Sequence, residues 1–149
     1  MNEWEEDYKL VNDICSLSRR LRFLRKNNMT KDNLTEVELL VLDYLAQNGE
    51  SPPTMSHVAK NIGVTFSHLS KTINTMEVEH GWVERKMDQG DRRKILLSIS
   101  KKGRAILNKA QEEERDRMRL IIPKLKTDEK DTIFQSISIF NRILNEINA

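Results

Sequence analysis

The sequence predicts a mainly α-helical chain interrupted once by a small antiparallel β-hairpin. Three observations predict it. Apolar residues recur at three-and-four spacing through most of the chain, the period of helices with one buried face. Between Trp82 and Ile99 the pattern changes to alternation, the period of strands. Polar and glycine- or proline-bearing breaks, such as Asn48-Gly49, Ser51-Pro52-Pro53 and Gly63, divide the helical stretches.

The elements follow in order. Leu10, Val11, Ile14, Leu17, Leu21 and Leu24 make residues 9–26 an amphipathic helix, interrupted by a polar loop at Asn27-Asn28 and Lys31-Asp32-Asn33. Thr35 and Glu38 form a capping box for a second helix, whose apolar residues cover most of its circumference and place it centrally in the core. Asn48-Gly49 ends it. After the proline pair, Thr54 and Ser56 are alternative caps for a short third helix that Gly63 breaks. Thr65 caps a fourth helix running to about His80. Val83, Arg85 and Met87 share one strand face, and Arg93, Ile95, Leu97 and Ile99 share one face of a second run. Asp88-Gln89-Gly90-Asp91 supplies turn chemistry between them. Ser100 caps a long, highly charged fifth helix, ended by Pro123 and Lys126-Thr127-Asp128. The sixth helix carries Ile133, Ile137, Phe140, Leu144 and Ile147 at heptad-like spacing.

Composition narrows the function. Of 149 residues, 32% are charged, and no apolar run approaches the length needed to span a bilayer, so no membrane role is expected. The acidic N-terminus lacks the pattern of an export signal, and the lone Cys15 cannot form an intramolecular disulfide, which together suit a reducing cytoplasm. A net charge of +2 is too small to indicate a nucleic-acid partner by itself. Its distribution says more: Arg19, Arg20, Arg22, Arg25, Lys26 and Lys31 form a stretch without acids. A second basic stretch runs from Arg85 to Arg104. No glycine-rich phosphate loop, defined carboxylate pair or nucleophile–base arrangement marks an enzyme, and no catalytic residue or cofactor is expected. His57, His68 and His80 fall on different elements, so no metal site is expected either.

Thr54 to His80 meets the requirements of a helix-turn-helix. Ala59 is small where two helices cross, and Gly63 sits at the tight turn where positive φ is needed. With Leu69, Ile73 and Met76 facing inward, the opposite face of the fourth helix presents Ser67, Lys71 and Asn74, flanked by His68, Ser70 and Thr75. Short hydroxyls, an amide and a lysine, free of acids and of bulky apolar groups until Val78, are groups that bond to base edges and phosphates. A polar face can also be merely solvated. The hairpin favours the first reading: a solvated hairpin has no need of Arg92, Arg93 and Lys94 at its tip, whereas a wing along the phosphates does.

Asp91-x-Arg93 followed by Leu97, Ile99, Ser100 and Gly103 is similar at every interval to the wing signature of the MarR family of bacterial regulators. The order of helices and hairpin resembles that family over essentially the whole chain. The resemblance implies a winged helix-turn-helix flanked by terminal dimerisation helices: residues 1–34 as the N-terminal dimerisation helix, 35–103 as the DNA-binding domain and 104–149 as the C-terminal dimerisation helices. It implies that the helix capped by Thr65 enters the major groove and that Arg93 enters the minor groove, oriented by a salt bridge to Asp91. It further implies repression as the mode of action. The sequence departs from the family pattern in Met76 to Gly81, where the interval to the glycine is one residue longer, and at Trp82, where an aliphatic residue is common.

Three amphipathic terminal helices have little else in the chain to cover. Ile14, Leu17 and Leu21 of the first, with Ile133, Ile137, Phe140, Leu144 and Ile147 of the sixth, are therefore expected to bury against a second copy. Such a homodimer would read palindromic double-stranded DNA. Three further readings stay open. Cys15, near the start of the first helix and one turn from Arg19, is either a peroxide-responsive thiol like that of one branch of the family or a small buried packing residue. A small aromatic or phenolic effector, of the kind many family members bind, would meet Phe23, Tyr44, Met55 and Arg20 or Arg22, which core packing explains equally well. A winged helix used only for protein contacts is the rival class; it has no need of Arg93.

Overall fold

The computed structural model describes residues 2–27 and 34–148. The polar break expected around Asn28 and Lys31 to Asn33 lies outside them, as do the side chains of Arg22, Phe23, Leu24, Arg25 and Lys26. Two compact units are present, Met1–Gln111 and Glu112–Ala149. No described helix is long and apolar enough to cross a membrane.

In the first unit, helix α1 spans Glu3–Asn27, starting well before Lys9 where apolar spacing places its beginning. The cause is polar: Asn2 Oδ1 accepts from the Glu5 amide and the Glu5 carboxylate accepts from the Asn2 amide, each at 2.9 Å. This reciprocal cap, with further acids in the first turn, suits the positive end of the helix dipole. Leu10, Val11, Leu17 and Leu21 are exposed in the single chain and Ile14 is half-buried.

Helix α2, Glu36–Gln47, opens on the expected capping box: Thr35 N donates to Glu38 Oε2 at 2.7 Å and Glu38 N to Thr35 Oγ1 at 3.2 Å. Helix α3, Met55–Ile62, is capped by Thr54 rather than Ser56 and ends at Gly63, whose φ of 73° is left-handed. Helix α4, Phe66–Asn74, follows the Thr65 cap. Val41, Leu42, Leu45, Met55, Val58, Leu69, Ile73, Met76, Leu97 and Leu107 form one buried core. The central place expected for α2 is confirmed by its packing against α3, α4 and the hairpin.

Beyond α4 the helix widens into a π turn at Thr75–Glu79. Gly81 N then bonds to Glu77 O at 3.1 Å and Trp82 N to Met76 O at 2.8 Å. An i to i+5 turn takes up one extra residue without ending the helix, which accounts for the longer interval before Gly81.

Strands β1, Val83–Met87, and β2, Ile95–Ile99, pair antiparallel with Arg85 opposite Leu97. The connection differs from expectation. It is a loop over 88–94 rather than a turn at 88–91, so Arg93 lies before β2 and not in it. Two aspartates cause this: Asp88 Oδ1 accepts from Gly90 N at 2.8 Å and Asp91 Oδ1 from Arg93 N at 3.1 Å, making consecutive side-chain-closed turns. Leu97 N also donates to Pro53 O at 2.9 Å, and Thr54 pairs with Leu96, so the segment after the prolines anchors β2.

Helix α5, Lys101–Met118, begins where Ser100 Oγ accepts from Gly103 N at 2.9 Å and donates to Gly81 O at 2.7 Å. In the second unit α5 ends at Met118, earlier than the Pro123 stop expected, and Ile122–Lys124 form a 3₁₀ turn. Pro123 has no amide hydrogen to give the Arg119 carbonyl and its ring crowds that carbonyl, so the α-helical pattern stops about one turn before it. Helix α6, Thr127–Asn148, leaves Ile133, Ile137, Phe140, Leu144 and Ile147 exposed in the single chain.

Candidate nucleic-acid interface

Helix α4 owes its start to Thr65, whose Oγ1 accepts from His68 N at 3.2 Å, and its orientation to Leu69 and Ile73, both fully buried. That burial turns Ser67, His68, Lys71 and Asn74 outward, all exposed, with Ser70 and Thr75 half-buried beside them. The expected face is therefore assembled, with two refinements. The Thr75 hydroxyl donates back to Lys71 O at 3.5 Å and the Thr72 hydroxyl to His68 O at 3.1 Å, so those hydroxyls serve the helix itself. Phe66 is 53% exposed at the edge of this face, a bulky apolar group the sequence reading left out. Its position two residues before His68 gave no periodic signal, because a first-turn residue has no preceding turn to pack on.

Lys71 and His68 also line a shallow groove of about 450 Å³ shared with Thr35, Glu36 and Glu38 at the start of α2. Glu38 itself is buried in its capping box and faces the helix start rather than the groove's solvent.

The wing presents Arg92, Arg93 and Lys94, all exposed. Arg93 Nε lies 3.2 Å from Asp91 Oδ1 while its side chain remains 92% exposed, so the guanidinium is oriented yet open to solvent. The Arg93 side chain, then its backbone amide, and the nearby Lys94 charge hold the Asp91 carboxyl below the ordinary value of 3.8. Asp91 is thus an ionised acceptor at neutral pH, the state a salt bridge requires.

A second cationic group, Arg85, was read only as part of a basic stretch. The structure gives it specific partners: its Nε donates to Glu77 Oε2 at 2.6 Å, its backbone N to Glu77 Oε1 at 3.1 Å and its Nη2 to Asn74 Oδ1 at 3.2 Å. Residues eight and eleven apart on different elements leave no periodic trace, so sequence alone could not pair them.

The other candidates fall elsewhere. Cys15 is exposed on α1, so the buried packing reading fails in the single chain. Met55 is a core residue and half-buried Tyr44 sits beside His57, with ring centres 6.3 Å apart, so packing accounts for both. His80 stacks on Trp82 with ring centres 4.1 Å apart. Among the described residues no three His, Cys, Asp or Glu side chains gather as metal ligands.

Comparison with known proteins agrees with this architecture. Residues 32–94 match the model of the MarR family. A Bacillus subtilis protein described as the uncharacterised HTH-type transcriptional regulator YfiV is 22% identical over 97 residues; the match covers 65% of this chain and 60% of that protein's length. The crystal structure of the transcriptional regulator BldR from Sulfolobus solfataricus superposes with a TM-score of 0.81 at 24% identity, covering 98% of this chain and 99% of that one. The structure of Streptococcus pneumoniae FabT in complex with DNA gives a TM-score of 0.68 at 20% identity, covering 97% and 99%.

Proposed function

We propose that this chain, whose residues 32–94 match the model of the MarR family, is a homodimeric, sequence-specific DNA-binding regulator that acts as a repressor. The observation that carries it is the Asp91–Arg93 pair at the wing tip: an ionised carboxylate spends itself on aiming an otherwise solvent-exposed arginine. Aimed cations are what a narrow minor groove attracts. Helix α4 supplies the complementary major-groove surface through Ser67, His68 and Lys71 on its acid-free outer face.

The exposed apolar residues of α1 and α6 support a dimer, since a surface so rich in isoleucine and leucine is costly to leave in water. A two-fold dimer would set two recognition helices roughly 34–36 Å apart, one turn of DNA, and read a palindrome. Size-exclusion chromatography with light scattering gives the mass of two chains on this reading; a monomer at micromolar concentration removes it. Selecting fragments of the source genome on the immobilised protein gives a small set sharing an inverted repeat. Fragments without a shared motif exclude sequence-specific binding.

Exposure of Cys15 in the single chain supports one further reading on the same fold, in which oxidation of its thiol releases DNA. Peroxide then lowers DNA affinity of the wild type and not of Cys15→Ser; equal responses of the two proteins dismiss it.

A further inference from the structure

We infer that Arg85, held by Glu77, fixes Asn74 with its carbonyl turned inward and its amide NH₂ outward, so that Asn74 reads acceptor-only base edges in the major groove. This rests on the DNA-reading role proposed above. Arginine carries donors and no acceptor, so the Asn74 atom facing Arg85 Nη2 at 3.2 Å has to be the carbonyl oxygen. The amide nitrogen then points away, with both its hydrogens available.

The arrangement is over-determined at its base. Both oxygens of Glu77 are engaged by Arg85, one by the backbone amide at 3.1 Å and one by Nε at 2.6 Å. Arg85 lies opposite Leu97 in the hairpin, and their amides point to opposite outer edges: Leu97 N to Pro53 O and Arg85 N to Glu77. Glu77 therefore closes the open edge of β1 while fixing the guanidinium. The side chains of the pair are only 27% and 31% exposed, which screens them less than a surface pair. The π turn at Thr75–Glu79 carries Glu77 to this edge, and Asn74 immediately precedes it.

The chemical consequence is a restricted reader. A free asparagine offers a donor and an acceptor together and pairs with adenine N6 and N7. Here Arg85 already takes one lone pair of that oxygen, so an adenine or cytosine amino group reaching the second brings its positive hydrogen beside the guanidinium and pairs more weakly. Edges with acceptors alone, N7 and O6 of guanine or O4 of thymine, fit the two outward hydrogens. Arg85 is thus a positioning residue that sets specificity through Asn74.

The test is selection from a random double-stranded library, followed by single-base substitutions measured by fluorescence anisotropy for wild type, Asn74→Ala, Arg85→Lys and the double variant. Asn74→Ala identifies the base pair in each half-site that Asn74 reads. The wild type prefers guanine or thymine there. Lysine cannot span Glu77 and Asn74 as a planar fork does. Arg85→Lys therefore lowers discrimination at that pair by about tenfold, the scale of one base contact. The double variant loses no more than Asn74→Ala alone. Should Arg85→Lys melt early by circular dichroism, the near-isosteric Glu77→Gln gives the same selective loss. A wild-type preference for adenine or cytosine at that pair, or undiminished discrimination in the Arg85 and Glu77 variants, overturns the inference. A wild type that selects no sequence overturns the DNA reading itself.

Discussion

Replacing Gly103 by alanine should destabilise the protein, although helix propensity predicts the reverse. Gly103 lies in the first turn of α5 and is buried. A Cβ there would overlap the carbonyl oxygen of Trp82 and come within 3.1 Å of Ile99 Cγ1. Both neighbours are constrained, because the Trp82 oxygen accepts from Ser100 N at 3.0 Å and Ile99 is paired with Val83 in the hairpin. Forcing the methyl in costs about 1–3 kcal/mol in displaced packing. Weakening the Ser100 bond adds about 1 kcal/mol. The opposing gain from replacing a helical glycine is at most about 1 kcal/mol. The net is a loss of roughly 1–3 kcal/mol, a fall in the urea midpoint on the order of 1 M. Urea unfolding followed by circular dichroism, with both proteins at one concentration, measures it. A midpoint equal to or above wild type would refute the claim that α5 and the wing strand meet backbone to backbone at Gly103.

Three further outcomes are expected. Thr65→Ala removes the cap of α4 and lowers stability by about 1 kcal/mol in the same assay, with Thr65→Ser retaining it. Leu69→Ala empties a fully buried site beneath the recognition face and costs about 2–5 kcal/mol; a smaller loss means that α4 does not anchor in the core. Asp91 has its carboxyl lowered in the fold, so its pairing is complete above the ordinary 3.8 and is lost only as pH falls through the lowered value. NMR titration of the Asp91 carboxyl should therefore show a midpoint under 3.8, moving up to the ordinary range in Arg93→Ala.

Much of this was legible because the sequence writes its punctuation locally. Thr35 with Glu38, Thr54, Gly63, Thr65 and Ser100 each act over a few residues, and each does in the structure what its chemistry predicts. The outward set on α4 followed from the buried Leu69 and Ile73 at helical spacing. What escaped had two causes. Some signals were local but polar: the Asn2–Glu5 box extends α1 beyond its apolar stripe, and paired aspartates widen the wing loop. Others join residues distant in sequence, such as Arg85 with Glu77 and Asn74, or Leu97 with Pro53, and no period records them. Phe66 was passed over because exposure of a first-turn aromatic depends on what packs around it.

The central claim is that an aimed arginine on the wing and the outer face of α4 bind one DNA duplex together. Fluorescence anisotropy with a fragment selected from the source genome, measured against salt concentration, tests it most directly. Arg93→Ala should weaken binding and flatten the salt dependence by about one phosphate's worth of released counterion if Arg93 meets the backbone, or weaken it mainly on fragments with a narrow A·T-rich minor groove if it enters there. Equal affinity and equal salt dependence of wild type and Arg93→Ala on every fragment would contradict the account.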